Sequence, residues 1–243
     1  MNVSINFVWV TTSLLAVHTG LARAGGVDRT VRKRRKGQKE VPELPGEAVK
    51  AVIREAAERI LRWQNKNTNL EKPDQSIPTD PAIARLFAPQ WGEGLGSQSK
   101  ARYFFGGALG ESGTEQDGVV GSMELLEITS TKIDQTTGTA ADNTLRSVES
   151  WKPGVQFKLQ IEGVDGDWSA GSPDLKDLHL LLMAILSADA IGGGWSIGRG
   201  GLSLSKIECR TDAGQVVDIA AILRGDPSNR DFPLANWLRE VYL

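Results

Sequence analysis

Asp28 is the single acid in an otherwise strongly basic stretch, and the chemistry of this chain is sought first around it. Eight basic residues lie between Arg23 and Lys39, and seven of them (Arg29, Arg32, Lys33, Arg34, Arg35, Lys36 and Lys39) fall within eleven positions. A phosphate backbone is the natural partner for that density, because each cation that meets a phosphate releases condensed counterions. Such runs are also often only solvated surface. A lone carboxylate among cations is ionised; it can serve as a base, hold a metal beside a phosphodiester, or pair with Arg29 or Arg32. On residue physics alone the ion pair is the commoner outcome. His18 sits where a general acid or base for RNA cleavage could lie, although a single histidine without a spaced partner is more often structural.

A second chemical candidate is the segment from Gly192 to Gly201, where clustered glycines let backbone amides approach an anion. Neither nucleotide signature is met. Gly193 and Gly198 have the phosphate-loop spacing, but Arg199 and Gly200 follow where lysine and a hydroxyl residue are required. The dinucleotide register from Gly192 ends on Ile197 instead of glycine. The segment also follows a helix and opens a strand, the reverse of both motifs. What remains is a flexible connector or a loop that hugs RNA phosphates with its backbone. One cysteine (Cys209) and two histidines (His18 and His179) exclude a disulfide framework, a cysteine-ligated zinc site and a two-histidine motif at helical spacing. Metal chemistry here must use carboxylates.

These residues need elements to position them. The 243 residues, 40% hydrophobic and 24% charged, suit one domain or a domain with an elaborated insertion, and the net charge of −2 hides the basic block. Val3, Ile5, Phe7 and Trp9 alternate as a strand with one apolar face. Gly20 to Val41 shows no apolar period and reads as a long loop. After Pro45-Gly46, Val49, Val52, Ile53, Ala56, Ile60 and Leu61 mark one face of a helix, with Lys50, Arg54 and Glu58 opposite. From Asn65 to Gly121 prolines and glycines break the pattern into loops and short elements. Met123 to Ile133 reads as a strand, Gln135 to Ser147 as a polar excursion, and Val155 to Ile161 as a strictly alternating half-buried strand. Ser172-Pro173 caps a second long helix carrying Leu175, Leu178, Leu182, Ile185 and Leu186, and Gly192 stops it. Leu202 to Cys209 is a strand, and Asp231 and Pro233 start a last helix with Leu234, Trp237, Leu238 and Val241 on one face. The fold class is α+β, and the order is that of a ferredoxin-like (RRM-like) βαββαβ core with a large insertion after its first helix.

Phe7 to Ala22 could be mistaken for a secretory signal, but positive charge follows the apolar core instead of preceding it. Thr11, Thr12 and Ser13 leave the run too short to span a bilayer. A buried first strand of a cytoplasmic domain is expected.

Four separated stretches resemble one known family. Val17-His18-Thr19-Gly20 is similar to the end of that family's opening strand, and Gly26-Val27-Asp28 to the loop bearing its target-cleaving aspartate. Leu44-Pro45-Gly46 through Arg54 resembles its helix start, with Glu47 and Ala48 where serines are usual and Ala51 in place of glycine. Ile133-Asp134-Gln135-Thr136-Thr137-Gly138-Thr139-Ala140, with Pro153 to Phe157, resembles its thumb hairpin and the strand after it. The glycine segment is the same family's general mark, though Ile197 stands where arginine is common and Gly201 where another basic residue often follows. The family is the RAMP superfamily, and specifically the repeated backbone subunit of type III CRISPR RNA-guided effector complexes.

The resemblance implies one RAMP domain over residues 1–243, with its core at 1–64 and 151–210, an insertion at 65–121, a thumb hairpin at about 122–150 and a tail at 211–243. It implies that copies stack along a guide RNA (crRNA) with other CRISPR effector subunits in a prokaryotic cytoplasm, with no membrane partner. Complementary target RNA would be cut at regular intervals beside each thumb by Asp28 with a divalent metal, Mg or Mn. Arg29, Arg32, Lys33, Arg34, Arg35, Lys36, Lys50 and Arg54 would hold the guide backbone. Thr137, Thr139 and Ala140 would sit near the displaced nucleotide, and Gly193, Gly194, Ser196 and Arg199 would line the RNA. The alternatives are an inert structural or capping subunit of the same complex, and a guide-processing ribonuclease that uses His18 without metal.

Overall fold

The computed structural model describes residues 2–19, 28–64, 81–87, 102–112, 123–134, 136–142, 144–164, 166–167, 172–193, 197–219 and 222. The sequence-expected helix from Asp231, and Gly194 and Ser196 of the glycine segment, lie outside them.

The first strand, β1 (Val3–Thr11), is the centre of the molecule. Its alternating Val3, Ile5, Phe7 and Trp9 are all buried, because every second side chain of a strand points to one face. It lies antiparallel between β8 (Val155–Gly163) and β9 (Leu202–Thr211). The buried face is covered by α1 (Gly46–Gln64) and α3 (Pro173–Ser187), whose Val49, Ile53, Ala57, Leu181 and Ile185 are fully enclosed in the same core. Ser172 accepts a hydrogen bond from the Leu175 N–H at 3.1 Å and Pro173 opens the helix, as the cap residues predict. The start of α1 is fixed by a close approach. A Cβ on Gly46 would lie 2.1 Å from the Phe105 carbonyl oxygen, so only glycine fits there.

One reading of the sequence is corrected, and the short elements expected within 65–121 take definite form. Residues 20–41 are not one long loop: Lys33–Lys36 (β2) and Lys39–Leu44 (β3) form an antiparallel hairpin around Gly37, which takes φ 65°. The hairpin escapes pattern reading because β2 is cationic and exposed and has no apolar face to show a period of two. Within 65–121, where no element is legible in the sequence, the chain forms α2 (Pro81–Phe87), β4 (Tyr103–Phe105) and β5 (Ala108–Ser112). β4 and β5 both pair with β8, and β5 continues to β3, giving one sheet in the order β10-β9-β1-β8-β5-β3-β2, where β10 is Val216–Val217 and β4 lies off this path. Two ion pairs tie this stretch to α3. Arg85 of α2 grips Asp177 through two bonds of 2.6 and 2.7 Å, and Arg102 grips Asp174.

The remaining strands, β6 (Leu125–Ser130) and β7 (Arg146–Trp151), make a separate two-stranded antiparallel sheet. The architecture is therefore α+β with antiparallel sheets.

Candidate functional site

Asp28 is placed by backbone hydrogen bonds to β7, not by the arginines beside it. Its N–H donates to Ser147 O at 2.9 Å, and its Oδ2 accepts the Ser147 N–H at 2.8 Å. Arg29 then pairs in parallel with Val148, and the Glu149 N–H donates to Arg29 O at 3.0 Å. Among the described residues no ion pair joins Asp28 to Arg29 or Arg32. This corrects the expectation that residue physics favours. The carboxylate is exposed, with one oxygen engaged by an amide, and it stands beside β7 one rung from the Ser130–Arg146 end of the β6–β7 ladder.

From Asp28 the chain turns to meet the extension of β1. Val31 pairs antiparallel with His18, the Thr19 N–H donates to Thr30 O at 3.0 Å, and the Arg32 N–H donates to Val17 O at 2.6 Å. His18 thereby feels the charges of Arg29 and Arg199. Burial is the largest cause holding its pKa below the usual value; Arg29 and Arg199 add to the effect, and a hydrogen bond with the Thr30 backbone partly opposes it. At neutral pH this imidazole is uncharged, a form able to accept a proton. Gly193 lies against the same ring, since a Cβ there would sit 3.2 Å from His18 Cδ2.

The glycine segment is packed onto residues 12–16. The Gly193 N–H donates to Ala16 O at 2.9 Å, Gly200 N–H to Leu14 O at 2.7 Å and Gly201 N–H to Ser13 Oγ at 2.8 Å. Gly192 and Gly200 take φ 88° and 76°, and a Cβ on Gly200 would fall 2.0 Å from Ile191 O. These glycines are required by protein packing, and the three amides already have acceptors. The charge of Arg199 in this segment adds, as the smallest of the causes, to the lowering of the His18 pKa.

The basic block divides into paired and unpaired cations. Lys33 lies 3.1 Å from Glu40 and 3.7 Å from Glu149, Arg34 is 2.9 Å from Glu43, and Lys36 is 3.9 Å from Glu111. The glutamates of β3 thus neutralise much of β2. Among the described residues Arg29, Arg32, Arg35 and Lys39 have no such partner. Lys50 and Arg54 stand apart on α1, where Glu47, Glu55 and Glu58 share a shallow depression of about 270 Å³ with them. Arg54 pairs with Glu58 at 2.9 Å, and burial followed by Arg54 lowers the Lys50 pKa.

Thr137, Thr139 and Ala140 occupy a turn beyond β6. Asp134 accepts the Thr136 and Thr137 N–H groups at 2.7 and 3.1 Å, the Thr137 and Thr139 hydroxyls bond at 2.8 Å, and Ala140 pairs with Ile133. Those backbone bonds hold the Asp134 carboxyl below its usual pKa. The tip is a preformed loop whose hydrogen bonds close on itself.

A histidine bridged to the segment that carries the aspartate, an aspartate bonded to β7, and a glycine segment packed on residues 12–16 stand beside one comparison. The family model of the RAMP superfamily matches residues 12–203. This chain belongs to the RAMP superfamily. No curated protein matches it. RAMP proteins typically work with RNA in CRISPR ribonucleoprotein complexes, and membership points to a CRISPR-associated subunit. Among the described residues of this RAMP protein no helix is long and apolar enough to cross a membrane.

Reading the sequence missed Glu149, a buried carboxylate on β7 that accepts the Val31 N–H at 3.2 Å. A polar residue in a short, mixed run such as Arg146–Trp151 carries no local signal of burial, and its partner lies 118 residues away.

Proposed function

We propose that this RAMP protein is a backbone subunit of a type III CRISPR ribonucleoprotein that binds guide RNA and cuts complementary target RNA through Asp28. One observation carries the reading: the Asp28 carboxylate is anchored to Ser147 on β7, one rung from the Ser130–Arg146 end where the β6–β7 ladder gives way to the turn, and its own segment carries Arg29 and Arg32, which have no ion-pair partner among the described residues. A hairpin that displaces one nucleotide of a guide–target duplex would leave the neighbouring ribose and phosphate beside that carboxylate. The strand order β9-β1-β8-β5, with α1 and α3 on one face, supports a ferredoxin-like core as the platform.

In the proposed reaction the target 2′-oxygen attacks the adjacent phosphorus and the bond to the 5′-oxygen breaks. The 2′-hydroxyl proton passes to the free oxygen of Asp28, and the leaving 5′-oxygen takes a proton from water. The products are a 2′,3′-cyclic phosphate and a 5′-hydroxyl. Arg29 and Arg32 would neutralise charge on the phosphate. The donor set suits Mg or Mn, hard cations that accept one or two carboxylates and take their other ligands from phosphate and water. The one free oxygen of Asp28 is the base of this step, and no group of three metal-ligating side chains occurs among the described residues, so the cation would be held chiefly by phosphate and water beside Asp28. When bound, such a cation would supply Lewis-acid stabilisation of the phosphate.

The test is to co-express the chain with its genomic neighbours and a CRISPR array, purify the complex, and sequence the RNA that survives nuclease. Spacer-derived RNA of defined length is expected. The complex should cut complementary RNA only with divalent metal, and Asp28→Ala should abolish cutting while guide content is retained. Unchanged cutting by Asp28→Ala would leave an inert structural or capping subunit as the surviving reading. Cutting that persists in chelator and vanishes with His18→Ala would instead mean guide processing.

A further inference from the structure

We infer that Glu149 is the positioning residue for the Asp28 segment, holding the fork at which residues 28–32 leave the hairpin strand β7 and cross to the extension of β1. The inference rests on the cleavage role proposed for Asp28 and adds to it.

Residues 28–30 run beside β7 as a short parallel partner, bonded from Arg29 N–H to Ser147 O and from Glu149 N–H to Arg29 O. A continued parallel ladder would send the Val31 N–H to the Glu149 carbonyl. It goes instead to Oε2 of the Glu149 side chain, at 3.2 Å. Val31 has by then turned away to pair with His18. One carboxylate therefore supplies the acceptor at the point of divergence, while its other oxygen lies 3.7 Å from Lys33 Nζ. The Glu149 side chain is 3% exposed and Val31 is 1% exposed, so water has little access to replace that acceptor. A buried N–H without a partner is strongly disfavoured, and the fork geometry consequently depends on Glu149. One arm of the fork carries Asp28 and Arg29, and the other carries His18. Glu149 faces the protein interior, yet it sets where the carboxylate and the cation beside it stand relative to the hairpin.

The experiment uses the guide-loaded complex and reads three quantities: guide RNA per protein, single-turnover cutting rate, and amide hydrogen exchange over residues 28–33. Glu149→Ala should speed exchange over 28–33 about tenfold or more and leave the hairpin tip at 136–142 unchanged. Its cutting rate should fall between about tenfold and a hundredfold at unchanged guide content, the scale of a sub-ångström to 1 Å misplacement. Glu149→Gln, which keeps an acceptor oxygen for Val31, should restore both. Glu149→Asp, which keeps the charge but shortens the reach, should resemble alanine, and it replaces alanine if that variant does not assemble. Unaltered exchange over 28–33 in the alanine or aspartate variant overturns the inference. So does glutamine as damaged as alanine, which would make the Lys33 charge the role of this residue. The two readings fail separately. If Asp28→Ala cuts normally, the cleavage reading is lost and exchange alone decides the fork. If Asp28→Ala is dead while Glu149→Ala cuts at the normal rate, the positioning role is lost and the cleavage reading stands.

Discussion

The division of the basic block predicts a measurable asymmetry in how RNA binding responds to salt. Arg29, Arg32, Arg35 and Lys39 lack carboxylate partners among the described residues, whereas Lys33, Arg34 and Lys36 are held by Glu40, Glu43, Glu149 and Glu111. A cation already paired in the protein releases few extra counterions on meeting a phosphate. Within the block the four unpaired residues therefore carry the slope, contributing about −2.8 in log K against log salt for single-stranded RNA. Between about 50 mM and about 200 mM salt that contribution alone should lower the affinity about 50-fold. Arg35→Ala should reduce the slope by about 0.7, so that the same change of salt costs about 20-fold. Arg34→Ala, its neighbour on β2, should change the slope by less than about 0.3, because Glu43 already holds it at 2.9 Å. Fluorescence anisotropy of labelled single-stranded RNA, titrated across that salt range with each purified variant, reads both quantities. Equal slope changes for Arg34→Ala and Arg35→Ala would refute the reasoning, since the pairing would then have no bearing on RNA binding.

Two further outcomes follow from the glycine segment and from His18. Gly200→Ala should destabilise the protein by more than about 3 kcal/mol, because it combines left-handed backbone with a backbone clash, whereas Gly198→Ala, at φ 79° with open space around it, should cost only about 1 kcal/mol; thermal melting of the two variants checks the contrast. His18 is held below its ordinary pKa, first by burial, so the unfolded chain takes up its proton at higher pH than the folded one. That contribution to stability is present above about pH 6.5 and is lost as pH falls from there toward the folded value. His18→Gln should accordingly lose less stability than the parent between about pH 7.5 and about pH 5.5 in denaturant titrations, and an identical loss in both would contradict the assignment.

The elements that sequence patterning locates are those whose period is enforced by the core. Val3, Ile5, Phe7 and Trp9 had to alternate, and Leu178, Leu182 and Ile185 had to recur at helical spacing, because each lies against the same buried layer. The β2–β3 hairpin was invisible for the opposite reason. Its strand residues Lys33 to Lys36 contact solvent and glutamates, so their composition reports charge pairing and not pleat. β4 and β5 are too short, at three and five residues, to show a period among glycines. At the site, Asp28 and its basic neighbours were legible because local composition singles them out. The bonds that place them were not, since Asp28 to Ser147 spans 119 residues and Val31 to Glu149 spans 118. The glycine segment was legible as unusual, but its purpose was not. Residues 12–16 claim the amides of Gly193, Gly200 and Gly201, and only the fold reveals that.

The central place of β1 also sets an order of events in time. Its two neighbours are β8, which begins at Val155, and β9, whose Thr211 pairs with Val3. During synthesis the first strand therefore emerges with both hydrogen-bonding edges vacant and waits for more than half the chain before either is filled. Long-range pairing of this kind is slow to form and leaves a hydrophobic strand open to wrong partners meanwhile. The row Val3, Ile5, Phe7 and Trp9, which becomes the middle of the core, is thus the part of the newborn protein most in need of protection. Recombinant yield should be governed by how fast β9 arrives, and slower elongation across residues 12–201 should lower it.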